Sequence, residues 1–144
     1  MSETYMIAFD GSAPSHNALK FGAKIASASG GRLVLAHVLE WSPYSFLTAE
    51  ELEQRHKRRE EEKGRAEQVI LKPVKDRLTG DGLEVETVVR YGHAAEVICD
   101  LAREMKATQL IVGRTGSSAI QARLFGSVSA SLAQMSPVPC TIVP

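Results

Sequence analysis

Gln109-Leu110-Ile111-Val112-Gly113-Arg114-Thr115-Gly116-Ser117-Ser118 opens as a short apolar run and breaks at once into a glycine loop. Four residues of this kind, stopped by glycine, read as a strand covered on both faces, as in a parallel sheet. Nine residues past Gly116 come Gly126-Ser127 and then Val128, Leu132 and Met135 at helical spacing. The stretch is thus a strand, a glycine-rich turn and a helix.

The rest of the chain repeats that alternation. Tyr5-Met6-Ile7-Ala8-Phe9 is a second continuous apolar run, ended by the turn signal Asp10-Gly11-Ser12. From Ser15 the apolar residues Ala18, Phe21, Gly22, Ile25 and Ala26 recur at three and four, until Gly30-Gly31 stops the helix. Residues 33–39 form another buried strand, which Trp41-Ser42-Pro43-Tyr44 breaks. Thr48 to Leu78 reads as one long polar helix or a pair, opened by a Thr48–Glu51 capping box and interrupted at Pro73. The basic His56-Lys57-Arg58-Arg59 is followed directly by Glu60-Glu61-Glu62, which reads as a solvated helix face rather than a binding motif. After the Gly80-Asp81-Gly82 turn, residues 83–89 alternate like a strand, and Ala94, Val97, Ile98, Leu101, Ala102 and Met105 mark an amphipathic helix. Val138 to Val143 is the last strand. The order βαβαβαβαβ predicts one domain, residues 1–144, built as a five-stranded parallel open sheet with helices on both faces.

Composition narrows the function. Hydrophobic residues make up 44% and charged residues 24%, the balance of a soluble globular protein. Lys and Arg number 17, as do Asp and Glu, so no global basic field draws nucleic acid or an anionic membrane. No apolar run reaches the roughly 20 residues of a membrane span, and the first residues do not resemble a secretory signal, so the expectation is cytoplasmic. Cys99 and Cys140 fall inside a helix and a strand and read as small buried hydrophobes; the scattered histidines predict no metal site.

In an open parallel sheet, ligands bind beyond the carboxyl ends of the strands, where strand order reverses. Asp10-Gly11-Ser12 and the Gly113–Ser127 loop both follow such ends. Glycines let a phosphate approach backbone N–H groups, and a helix opening at Gly126-Ser127 adds the positive end of its dipole. The pattern is neither a Walker A loop nor the Rossmann G-x-G-x-x-G. Turn chemistry alone would also place these glycines, so the spacing by itself leaves a nucleotide-free interaction module open. Asp10 reads either as a carboxylate for catalysis or magnesium, or as the fixed point of the turn. Arg114 could clamp a phosphate or point to solvent. His93 could face the site or stand exposed at a helix start.

G-x-x-G, nine residues, then G-[ST] resembles the nucleotide-binding signature of the universal stress protein family, in its ATP-binding branch. Phe9-Asp10-Gly11-Ser12, His37-Val38, Gly92 with Ile98, and Val138-Pro139-Cys140-Thr141-Ile142-Val143 resemble the family's other landmarks over the whole chain. Phe9 departs from the family's common V-D-G-S and puts bulk beside the adenine pocket. The resemblance implies a Rossmann-like, adenine nucleotide alpha hydrolase-like fold that binds ATP, with magnesium as a possible companion. Ala8, Phe9 and Asp10 would border adenine and ribose, and Val38 would meet the adenine edge through backbone groups. Val112 and Gly113 would line the ribose, while Gly116, Gly126, Ser127, Val128 and Ser129 would hold the phosphates. It further implies a homodimer through the C-terminal strand, acting on a regulatory protein partner in stress adaptation, with ATP hydrolysis weak or absent. A slow ATP hydrolase or phosphotransferase is the enzymatic alternative. A monomer, its last strand covered by a loop or by residues 41–46, is the alternative assembly.

Overall fold

The computed structural model describes residues 3–40, 48–115 and 126–144. Five strands form one sheet: β1 (Thr4–Ala8), β2 (Arg32–Leu39), β3 (Val85–Tyr91), β4 (Gln109–Gly113) and β5 (Cys140–Val143). Their order is β3-β2-β1-β4-β5, and every neighbouring pair is parallel. The chain therefore walks outward from β1 to β3, returns to β4 beside β1, and walks outward again to β5. The reversal lies between β1 and β4, the place where such a sheet opens a crevice at its carboxyl ends.

Strand alternation sorts the core into two layers. Tyr5, Ile7 and Phe9 pack with Leu33 and Leu35 under α1 (Ala13–Ser29) and α3 (Lys72–Gly80). Met6, Val34 and Ala36 pack on the other face against α4 (Ala94–Glu104) and α5 (Ser127–Met135). With Met6 and Ile7 both fully buried, β1 is covered on both sides, which is why it shows no polar alternation. Burying each such side chain contributes about 1.5–3 kcal/mol.

The helices start and stop where short-range chemistry dictates. Helix α1 begins two residues before Ser15, with Ser12 as its N-cap and Pro14 in its first turn, and ends at Gly30 in the left-handed conformation (φ 73°). Phe21, expected on its apolar face, is 39% exposed, so the buried stripe is carried by Ala18, Leu19, Gly22 and Ala26. Thr48 caps α2 (Ala49–Arg65) by accepting the Glu51 N–H at 3.2 Å. A π-helical segment, Ala66–Leu71, joins α2 to α3, and the Lys72 N–H reaches back to the Glu67 carbonyl. Pro73 follows at once; it has no N–H to continue an α-helical ladder, and the wide turn accommodates it. None of α2 is buried, and Lys63 pairs with Glu60 at 3.7 Å in the open, as a solvated face should. Tyr91 fastens this region to β3: its hydroxyl donates to Glu62, and the Arg59 guanidinium lies 5.3 Å from its ring centre. Burial, then the Glu62 carboxylate, pushes the phenol up to about 12.

Strand boundaries moved by one or two residues: β1 and β2 each begin one residue earlier, β1 also ends one earlier, and β3 covers 85–91 rather than 83–89. The last strand is four residues long, because Val138 bonds locally with Ser136 through both its N–H and its carbonyl. Met135 ends α5 at 41% exposure, leaving Leu132 as that helix's fully buried anchor. Among the described residues, no helix is long and apolar enough to cross a membrane.

Candidate functional site

Three chain segments converge on the crevice: the turn after β1, the loop after β4 and the end of β2. After β1, Asp10 Oδ1 accepts the Ser12 N–H at 2.9 Å, an Asx-type turn. Gly11 between them has φ +83°, a conformation that a side chain strains. Ser12 Oγ accepts the Ser15 N–H at 3.3 Å, and Ser15 Oγ donates back to the Ser12 carbonyl at 2.8 Å. Asp10 thus serves the turn, and Ser12 rather than Asp10 caps the helix. The Phe9 ring, expected as bulk beside a base, instead lies in the core at 2% exposure, with His16 edge-on at a centroid distance of 5.0 Å.

After β4, Gly113 lies against the first turn of α1. A Cβ there would stand 2.8 Å from the Pro14 carbonyl carbon and 2.9 Å from its oxygen. The end of β4 and the start of α1 therefore touch, and glycine is what lets them. Arg114 then acts as a joint: its N–H donates to the Val143 carbonyl at 2.7 Å. Its own carbonyl accepts from the Gly126 N–H at 2.9 Å and from Ser129 Oγ at 2.6 Å. The residues on either side of 116–125 are thus drawn together, with Gly116 outside the described residues. The Arg114 side chain is exposed.

Gly126 is the N-cap of α5 with φ −65° and ψ 158°, and among the described residues no side chain caps the helix. That backbone geometry suits any residue, so conformation does not explain glycine here. What glycine leaves is an N-terminal turn whose amides and dipole end meet no side-chain acceptor among the described residues. Ser127 is exposed, Val128 half-buried, and Ser129 buried with its hydroxyl turned to the Arg114 and Gly126 carbonyls. On the neighbouring strands, Ala8 is half-buried and Val112 6% exposed.

At the end of β2, Val38 lies past the last β1–β2 register pair, Ala8–Ala36, so the strand projects beyond β1 into the crevice. His37 beside it is buried, its Nδ1 2.8 Å from the Phe9 carbonyl oxygen. Sequence reasoning marked His37 only as one half of a two-residue landmark and missed this bond; nothing in the local pattern signals it. It also missed the Pro14–Gly113 contact, whose sole trace was a proline two residues after Ser12. His93 is the exposed N-cap of α4. Cys99 is buried and Cys140 half-buried, and burial pushes both thiols above their ordinary value. Among the described residues no group of three His, Cys, Asp or Glu side chains could hold a metal ion.

Comparison with known proteins adds to this geometry. Residues 1–144 match the family model described as the universal stress protein family. A universal stress protein of Thermus aquaticus, from the QAH/OAS sulfhydrylase 3′ region, is 32% identical over 145 residues, covering 99% of each chain. Among solved structures, the universal stress protein UspA from Lactobacillus plantarum superposes with a TM-score of 0.83 at 15% identity, over 99% of this chain and 97% of that one. A universal stress protein solved in complex with cAMP gives 0.70 at 28% identity, again over 99% and 97%. The fold is shared at 17% identity, with a TM-score of 0.66 in each case, by two further structures. One is an Archaeoglobus fulgidus protein in complex with dAMP, over 100% of this chain and 98% of that one. The other is an Arabidopsis thaliana protein with AMP bound, over 98% and 90%. Sequence match over the full length and the shared fold lead to one conclusion: the chain belongs to the universal stress protein family.

Proposed function

We propose that this chain binds an adenine nucleotide, ATP, in the crevice between β1 and β4, and that occupancy alters what a cytoplasmic regulatory dimer presents to a protein partner. The observation that carries the reading is the start of α5, where Gly126 leaves the helix N-terminus beside the crevice without a side-chain cap among the described residues. Gly126, Ser127, Val128 and Ser129, with Gly116, would hold the phosphates. Ala8, Asp10, Val112 and Gly113 would border base and ribose, with Phe9 supporting them from the core, and Val38 would meet the adenine edge. Relatives solved with cAMP, dAMP and AMP support the adenine class. Magnesium would travel with the phosphates, near the Asp10 carboxylate. Asp10 is already engaged in fixing its turn, which favours a binding role over fast catalysis. The test is thermal unfolding with and without ATP and magnesium. A ligand at 100 times its Kd adds about 2.7 kcal/mol of stability by mass action. An unchanged unfolding curve at millimolar ATP, with no nucleotide released from the purified protein, would leave the bare interaction module as the better reading.

The dimer follows from the edge. β5 is the last strand of the sheet. The Arg114 N–H bonds to Val143 and the Leu110 N–H to Pro139, so residues 139, 141 and 143 turn their backbone groups toward β4. Cys140 and Ile142 therefore point theirs outward. Pro139 lacks its N–H on the inner side and so removes no outward donor. A two-fold axis through Thr141 would set Cys140 opposite Ile142 of a second copy, antiparallel, each pair exchanging both backbone bonds. Ile142→Pro deletes one outward donor and spares the β4 ladder. Sedimentation should show a dimer for the intact chain and a monomer for the variant; a dimer unaffected by Ile142→Pro would contradict the arrangement.

A further inference from the structure

His37 holds the key to why Val38 is presented at all. Its ring is 6% exposed, and Nδ1 lies 2.8 Å from the Phe9 carbonyl oxygen. A carbonyl only accepts, so Nδ1 carries the proton in this bond. The Phe9 N–H donates to Ala36 at 2.9 Å, while the Leu33 N–H donates to Glu84 and Leu39 accepts from Gly92. Along β2, then, Ala36 and Val38 turn their backbone groups toward β1, and Leu33, Leu35, His37 and Leu39 turn theirs toward β3. The next rung after Phe9–Ala36 would run from the Val38 N–H to the Phe9 carbonyl. Among the described residues no backbone bond makes that rung, and the register ends at Ala8–Ala36. The imidazole stands in its place, while His16 braces the same residue by its ring.

We infer that His37 is a positioning residue for base recognition: by holding the Phe9 carbonyl it ends the β1–β2 ladder one rung early and leaves the Val38 N–H and carbonyl facing the crevice. The inference rests on the adenine reading above. One donor and one acceptor on the same residue suit the Watson–Crick edge of adenine, whose ring N1 accepts and whose exocyclic amine donates. Without the imidazole, the Phe9 carbonyl becomes available to Val38, and the strand can zip closed over the groups that would read the base.

Three variants separate this role from simple packing. His37→Asn keeps an N–H donor near the Nδ1 position, His37→Gln moves it outward to that of Nε2, and His37→Leu removes it. Val38 amide hydrogen exchange is followed by NMR in nucleotide-free protein. ATP affinity is then measured against that of purine riboside triphosphate, which lacks the exocyclic amine. The wild type and His37→Asn should exchange the Val38 amide quickly. His37→Leu and His37→Gln should slow it and lose about 10-fold in ATP affinity, the value of one hydrogen bond, with the preference for ATP shrinking alike. Should His37→Leu fail to fold, the Asn and Gln variants still decide: identical exchange in the two overturns the role. So does a Val38 amide already protected in the wild type, even if ATP binds. Wild-type protein with the fast-exchanging amide but no ATP binding would instead overturn the nucleotide reading.

Discussion

At the start of α1, Ser12 Oγ accepts an amide of the first turn, Ser15 returns a bond to Ser12, and Asp10 locks the approach. At the start of α5, Gly126 contributes no side chain, and the serine that could cap, Ser129, spends its hydroxyl on the carbonyls of Arg114 and Gly126. The two helices begin at the same end of the sheet, on opposite faces, and among the described residues only α1 has a side-chain cap on its first turn. A closed N-terminus stabilises the fold, whereas an open one keeps its amides for a ligand. Under the proposed function, that contrast assigns the anion to α5 and gives α1 a scaffolding part.

The contrast can be broken most forcefully where the end of β4 meets the start of α1. Gly113→Ala would drive a methyl into the Pro14 backbone at 2.8 Å, and neither element can yield without moving a helix start or a strand end. Overpacking of this kind costs about 1–3 kcal/mol, and nucleotide affinity should fall with it because both elements shift. Calorimetric unfolding together with ATP titration checks this; a variant of wild-type stability and affinity would show that the two are not coupled there. A smaller effect is expected at the closed end. Ser12→Ala should cost about 1 kcal/mol by loss of the cap, seen in denaturant unfolding. Its ATP affinity should stay within about 2-fold, since the α1 amides serve the fold. An affinity loss larger than the stability loss would move the anion toward α1.

Much of this was legible in the residues. The alternation of apolar runs with amphipathic stretches sufficed for the sheet, since a strand buried on both faces, such as Tyr5 to Phe9, leaves an unmistakable pattern. The Asp10-Gly11-Ser12 turn and the Gly126 helix start were legible because turn and cap chemistry is local. Phe21 misled because helical spacing cannot say how wide the buried stripe is. The inward phase of Pro139 was not legible, because the phase of a strand is set by its neighbour β4, not by its own sequence. The His37–Phe9 bond was invisible for the same reason: it joins residues 28 apart that only the β1–β2 register brings together.

The central claim is that the open start of α5 receives the phosphates, and Gly126→Asp tests it most directly. The backbone at 126, φ −65° and ψ 158°, accepts aspartate without strain, and the new carboxylate would cap the helix while facing any phosphate with like charge. Calorimetric titration with ATP should therefore show loss of binding, about 100-fold or more, in a protein at least as thermally stable as the parent. If Gly126→Asp binds ATP as tightly as the wild type, the phosphates lie elsewhere and the account is wrong.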